Sequence, residues 1–69
     1  MNELLNKAEK WLNELGITTV AKPMCIMMNR NDIAVVGTIG EVMKELRSAI
    51  SMKLYHASTD DDWYYLESF

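Results

Sequence analysis

The stretch from Met24 to Val36 constrains this chain most, because it is apolar at both even and odd positions. Only Asn29-Arg30-Asn31-Asp32, a polar cluster of turn-forming type, interrupts it. Met24 to Met28 and Ile33 to Val36 therefore read as two strands of a hairpin around that cluster. Side chains alternate across a strand, so one face carries Met24, Ile26, Met28, Ile33 and Val35. The other carries Cys25, Met27, Ala34 and Val36. A sheet with one face in water usually alternates apolar with polar residues. This ribbon does not, so both faces call for cover.

A chain of 69 residues has little to cover them with. A domain near this size buries only about 60% of the surface its unfolded chain exposes. Disulfides, metals or oligomerisation commonly supplement such cores. Cys25 is the one cysteine and His56 the one histidine, which excludes an intrachain disulfide and a His-rich zinc site. A lone cysteine fits a reducing compartment. No apolar run approaches the roughly 20 residues of a membrane helix. Met1-Asn2-Glu3 has neither the basic nor the apolar region of a signal peptide, so the expected location is cytoplasmic. With 49% hydrophobic and 25% charged residues the composition is that of a folded chain, expected to form a single domain over 1–69.

Around the ribbon, two helices are expected. Leu4, Leu5, Ala8, Trp11, Leu12 and Leu15 form one apolar stripe over residues 2–15, with Asn2 as cap and Gly16 at the left-handed C-terminal position. Thr38-Ile39-Gly40-Glu41 is a capping box, followed by a helical stripe of Ile39, Val42, Met43, Leu46, Ala49, Ile50 and Leu54, with the helix ending near Met52. Residues 17–22 read as an extended approach rich in β-branched side chains. Leu54 to Ser58 and Trp63 to Phe69 flank Thr59-Asp60-Asp61-Asp62 as a second hairpin, a helix from Thr59 being the competing form. Alternation in that hairpin sets Leu54, His56, Trp63 and Tyr65 against Tyr55, Ala57, Tyr64 and Leu66. The fold class is α+β, in the order α-β-β-α-β-β, with antiparallel hairpins packed on two helices. A winged-helix-like fold is the alternative and requires residues 23–31 to be helical.

None of the reactive side chains forms a recognisable site. Cys25 lies in a Met-rich strand with no basic neighbour in sequence, the setting of an inert thiol. His56 reads as a cross-strand packing residue beside Trp63 or Tyr65, or as a partner of Asp60 or Asp62. Counted from Asp60, the sixth place of a calcium loop would be Tyr65 where glycine is required, so the aspartate run reads as a solvated turn. Gly37-Thr38-Ile39-Gly40 lacks the lysine of a phosphate loop, and Glu41 occupies the anion position. No catalytic residue, metal or cofactor is expected.

Two helices cover one face of a four-stranded sheet, and the second face is then covered either by segment 17–22 or the C-terminus folding across it or, the preferred reading, by a partner. The candidate partner-binding residues are Cys25, Met27 and Val36 from the ribbon, with Tyr55, Asp60, Asp61, Asp62, Trp63, Tyr64 and Tyr65 from the C-terminal hairpin. Tyr and Trp are enriched at such contacts and Met adapts its shape to them. Residues 1–54 hold 7 Lys/Arg against 6 Asp/Glu, whereas the remainder holds Asp60, Asp61, Asp62 and Glu67 with no basic residue. That tail would repel a phosphate backbone.

The expected function is accordingly a non-catalytic protein–protein interaction module, a small regulator or inhibitor that also self-associates as a homodimer. One alternative is a winged-helix DNA-binding regulator with helix 38–53 followed by a hairpin wing. Its wing tip would be the aspartate run, and Lys44, Arg47 and Lys53 would be diluted by Glu41 and Glu45. A second alternative is the accessory subunit of an enzyme.

Overall fold

The computed structural model describes residues 3–51 and 54–68, leaving aside the side chains of Tyr55, Ala57 and Ser68. Helix α1 spans Glu3–Glu14 and buries Leu4, Leu5, Ala8 and Leu12 on one stripe. Gly16 follows at φ 87°, a left-handed value that glycine adopts without a Cβ clash. The cap expected at Asn2 lies outside the described residues.

The extended approach becomes strand β1, Thr19–Ala21, which pairs antiparallel with β2, Cys25–Asn29. Between them the Lys22 N–H donates to the Cys25 carbonyl at 2.8 Å. Pro23 sits inside that turn, where its missing donor breaks no ladder.

The strand expected over Ile33–Val36 is instead part of a helix, α2, Arg30–Val36. The cluster taken for a hairpin turn is a helix start. The Asn29 side chain accepts the Asp32 N–H at 3.0 Å, and the Asp32 carboxylate accepts the Thr18 N–H at 2.8 Å. Asn and Asp serve turns and N-caps by the same local hydrogen bonding, so sequence type alone does not separate the two. The place beside β2 is already filled by β1, which leaves the β-branched run no partner strand. Of that run only Ile33 is buried, and Val35 is 88% exposed.

Gly37 closes α2 by donating its N–H to the Ile33 carbonyl at 2.8 Å, and Thr38 opens α3, Ile39–Ile50. The capping box forms in full: Thr38 Oγ1 accepts the Glu41 N–H and Glu41 Oε1 accepts the Thr38 N–H, each at 3.1 Å. Ser51 at φ 52° ends the helix. The second hairpin is present as β3, Leu54–Thr59, and β4, Trp63–Ser68, so the helical form from Thr59 is set aside.

The order is thus α-β-β-α-α-β-β, with three helices among the described residues rather than two. The winged-helix requirement of helix over 23–31 is not met, because Cys25–Asn29 is a strand. The sheet is antiparallel throughout, in the order β1-β2-β4-β3. Ile26, Met28, Leu54 and Leu66 point from the sheet into one core with Leu5, Leu12, Ile33 and Leu46 of the helices. The radius of gyration is 10.5 Å, against about 11 Å for a compact chain of this length. No helix among the described residues is long and apolar enough to cross a membrane.

This packing ranks three substitutions. Leu66→Ala, at a fully buried site, is expected to cost about 2–5 kcal/mol. Thr38→Ala, which removes a cap, is expected to cost about 1 kcal/mol. Val35→Ala on the exposed side of α2 is expected to stay within about 0.5 kcal/mol. Urea unfolding curves check the order, and a Val35 effect as large as that of Leu66 would show the core to be misassigned.

Candidate functional site

Register decides which side chains share a face. Met28 lies opposite Thr19 and Tyr64, and Ile26 opposite Ala21 and Leu66. These rows, with His56 opposite Leu66 and Thr59 opposite Tyr64, face the helices. The intervening rows face away. The central one runs across the whole sheet as Val20, Met27, Tyr65 and Ser58. Cys25 beside Glu67 and Asn29 beside Trp63 flank it. All three helices pack against the opposite side, so this face has no covering element among those described. Cys25, Met27, Trp63 and Tyr65 are half-buried by their neighbours in the sheet, and Val20 is 39% exposed.

The candidate residues divide accordingly. Cys25, Met27, Trp63 and Tyr65 meet on the open face. Tyr64 is on the helix side, edge-on to His56 at 5.1 Å between ring centroids and beneath the Arg30 guanidinium at 5.2 Å. Val36 belongs to α2 and not to the sheet, as does Ala34. Tyr55 pairs with Glu67 in the backbone register, and its side chain is outside the description. The hairpin alternation also changes. Leu54 and His56 share a side with Tyr64 and Leu66, because the register shifts between His56 and Ser58. Val20, opposite Met27 and 39% exposed, joins this face from β1, outside the residues expected from sequence. Its signal was period-two placement in the 17–22 segment, which becomes readable once that segment is paired with β2.

Asp60, Asp61 and Asp62 form the tip of the β3–β4 hairpin and are all exposed. They are not equivalent. The Asp60 carboxylate accepts the N–H groups of Asp62 and Trp63 at 2.9 and 2.7 Å, and also the Tyr65 hydroxyl. Arg30 braces the tip from α2, its guanidinium donating to the Asp60 carbonyl at 2.7 Å and its N–H to the Asp62 carbonyl at 3.0 Å. Asp60 is thus a structural turn residue, while Asp61 and Asp62 present their charge to solvent. The Tyr65 hydroxyl, followed by those N–H groups and Arg30, holds the Asp60 carboxyl below the usual carboxylate range. The same bond pushes the Tyr65 phenol above its ordinary value. The Thr18 N–H holds Asp32 low as well.

The two reactive side chains are kept apart. Cys25 is on the open face and His56 on the helix side, where its Nε2 bonds Thr59 Oγ1 in place of the expected Trp63, Tyr65 or aspartate partner. Among the described residues no group of three His, Cys, Asp or Glu side chains is arranged to hold a metal ion. No protein-family model, no curated protein and no solved structure matches the chain.

A carboxyl whose folded value is lowered stabilises the fold above its unfolded value, near about 3.9, and loses that contribution as pH falls through the folded value. Acid is therefore expected to weaken the tip and the Thr18–Asp32 link as pH falls below about 4. Asp60→Asn should be less stable than wild type at neutral pH, with the difference shrinking as pH falls below that value. Thermal melts across pH check this, and a difference that is constant with pH would show that the Asp60 charge is idle.

Proposed function

We propose that this chain is a non-catalytic protein-binding module, a small regulator or inhibitor that works through the open face of its sheet. One observation carries the reading: on the face opposite all three helices, Val20, Met27 and Tyr65 line up over β1, β2 and β4 with Cys25 and Trp63 beside them, and the polar Ser58, Glu67 and Asn29 lie at the border. An antiparallel sheet facing only water would carry polar residues at those positions. An apolar face that no element covers is characteristic of interaction sites, and half-buried aromatic and methionine side chains beside the exposed Val20 suit one. The non-catalytic part of the reading is supported by the separation of Cys25 and His56 across the sheet, since a nucleophile needs its base within hydrogen-bond reach.

A second reading is favoured by topology, with α2 and not residues 23–31 as the first helix of the pair. Helices α2 and α3 are joined by Gly37-Thr38, and the β3–β4 hairpin follows them, with β2 completing a sheet in the order β2-β4-β3. That is the outline of a helix-turn-helix with a wing, carrying β1 as an added edge. Electrostatics opposes DNA as its ligand. The outer side of α3 mixes Glu41 and Glu45 with Lys44 and Arg47, and the wing tip is Asp60-Asp61-Asp62. Affinity for duplex DNA rests on cations placed against phosphates; on α3 these are offset by Glu41 and Glu45, and the wing tip has none.

Two measurements test these readings together. Val20→Lys and Met27→Lys are expected to fold, as judged by circular dichroism, and to abolish whatever protein association the wild type shows in sedimentation or pull-down. A wild type that associates equally well with either lysine in place would remove the open face from the function. A mixed-sequence 30-base-pair duplex is expected to stay unretarded by about 10 μM protein in 150 mM salt, and retardation that weakens steeply with salt would restore the DNA reading.

A further inference from the structure

We infer that helix α2 is a lid: residues 30–37 open as a unit while the rest of the fold stays closed, and the opened segment is extended chain, not helix. The first ground is burial. Ile33 is the one residue that α2 buries, whereas the twelve-residue helices α1 and α3 bury four and three. Ala34 is exposed, Val36 is 41% exposed and Val35 88%. A helix shorter than about 12 residues is marginal without packing, so α2 depends on that single core side chain and on its end contacts. Composition is the second ground. Ile33, Val35 and Val36 are β-branched and lose side-chain freedom in a helix, so once released this run relaxes toward extended backbone. A local preference that opposes the folded conformation, with few buried contacts, marks a segment that opens before the core does.

The third ground is where α2 is tied. The Asn29 side chain accepts the Asp32 N–H at 3.0 Å, and the Asp32 carboxylate accepts the Thr18 N–H at 2.8 Å. Arg30 donates to the Asp60 and Asp62 carbonyls at 2.7 and 3.0 Å. All of these ties lie at or before Asp32. Beyond it, the Gly37 N–H closes the last turn on the Ile33 carbonyl at 2.8 Å, and Ile33 supplies the core contact. Helix α2 packs on β2 and α3, so its opening uncovers the apolar surface between them that Ile33 fills. That surface is on the helix side and is distinct from the open face. Its exposure is set by the opening equilibrium, which the bonds of Asn29 and Asp32 hold toward the closed form.

Native-state amide hydrogen exchange, read residue by residue by NMR on the intact protein, tests this. The amides of Val35, Val36 and Gly37 exchange only when the helix melts, whereas Ile26 and Leu66, partners in the β2–β4 ladder, report opening of the whole fold. The three α2 amides are expected to lose protection together, with exchange at least about tenfold faster than that of Ile26 and Leu66 after correction for intrinsic rates. Leu54→Ala, in the core but outside α2, should speed Ile26 and Leu66 by at least about thirtyfold and leave the α2 amides unchanged. Asn29→Ala, which removes the cap, should speed the α2 amides about fivefold. Val35→Ala, a better helix former at an exposed position, should slow them about twofold. Should Leu54→Ala fail to fold, urea added below the unfolding transition makes the same separation in wild type, speeding Ile26 and Leu66 steeply and α2 only slightly. Protection of α2 equal to that of Ile26 and Leu66 overturns the inference, as does an α2 response that follows theirs in Leu54→Ala or in urea. Strand-like Cα shifts for Ile33–Val36 in the opened state, read by saturation transfer, are expected, and helical shifts there would overturn the extended form.

Discussion

Everything in this fold is referred to the pairing of β2 with β4. Ile26 and Leu66 are partners in that ladder, both fully buried, and they join chain segments 40 positions apart. Each helix finds its core contact on the same side of these two strands: Leu5 and Leu12 from α1, Ile33 from α2 and Leu46 from α3. A hydrophobic core of this size is one layer of side chains between one layer of helices and one sheet. The side of β2–β4 that receives the helices is consequently the only side they can cover, and the asymmetry of the molecule follows from that single contact.

Much of this was legible from local chemistry. The stripe of α1, the glycine that ends it and the reciprocal bonds of Thr38 and Glu41 involve neighbours within one or two turns, where the residue types determine the geometry. The β3–β4 hairpin was legible for the same reason, its tip being a run of turn formers between β-rich flanks. Helix α2 was not. Its seven residues give less than two full turns of periodicity, and Val35 and Val36 favour a strand intrinsically. What overrides that preference is nonlocal: β1 already pairs with β2, and Asp32 ties the helix start to Thr18, 14 residues away.

The candidate surface was half legible, for a reason tied to register. Even and odd positions in β2 separate cleanly, so Cys25 and Met27 fall on the face away from Ile26 and Met28 whatever the strand's partner. In the hairpin the irregularity between His56 and Ser58 changes the pairing by one residue, and parity counted across the turn misplaces Leu54 and His56. Val36 lies off this face because its element is a helix. Val20 is not legible from sequence because a strand of three residues offers too little alternation to reveal a face.

The aspartate run shows how a structure redistributes what composition reports. In sequence it is three equal charges. In the fold Asp60 is absorbed by two N–H groups and the Tyr65 hydroxyl, and Arg30 holds the carbonyls on either side of the tip. Tyr65 belongs both to this network and to the central open row beside Met27, so the tip and the open face are one mechanical unit. Ordering flexible side chains on binding costs about 0.5–1.5 kcal/mol each, and a tyrosine already fixed at its hydroxyl avoids most of that cost. The bond that removes Asp60 as a free charge thereby prepares its neighbours on the sheet to act as a rigid surface.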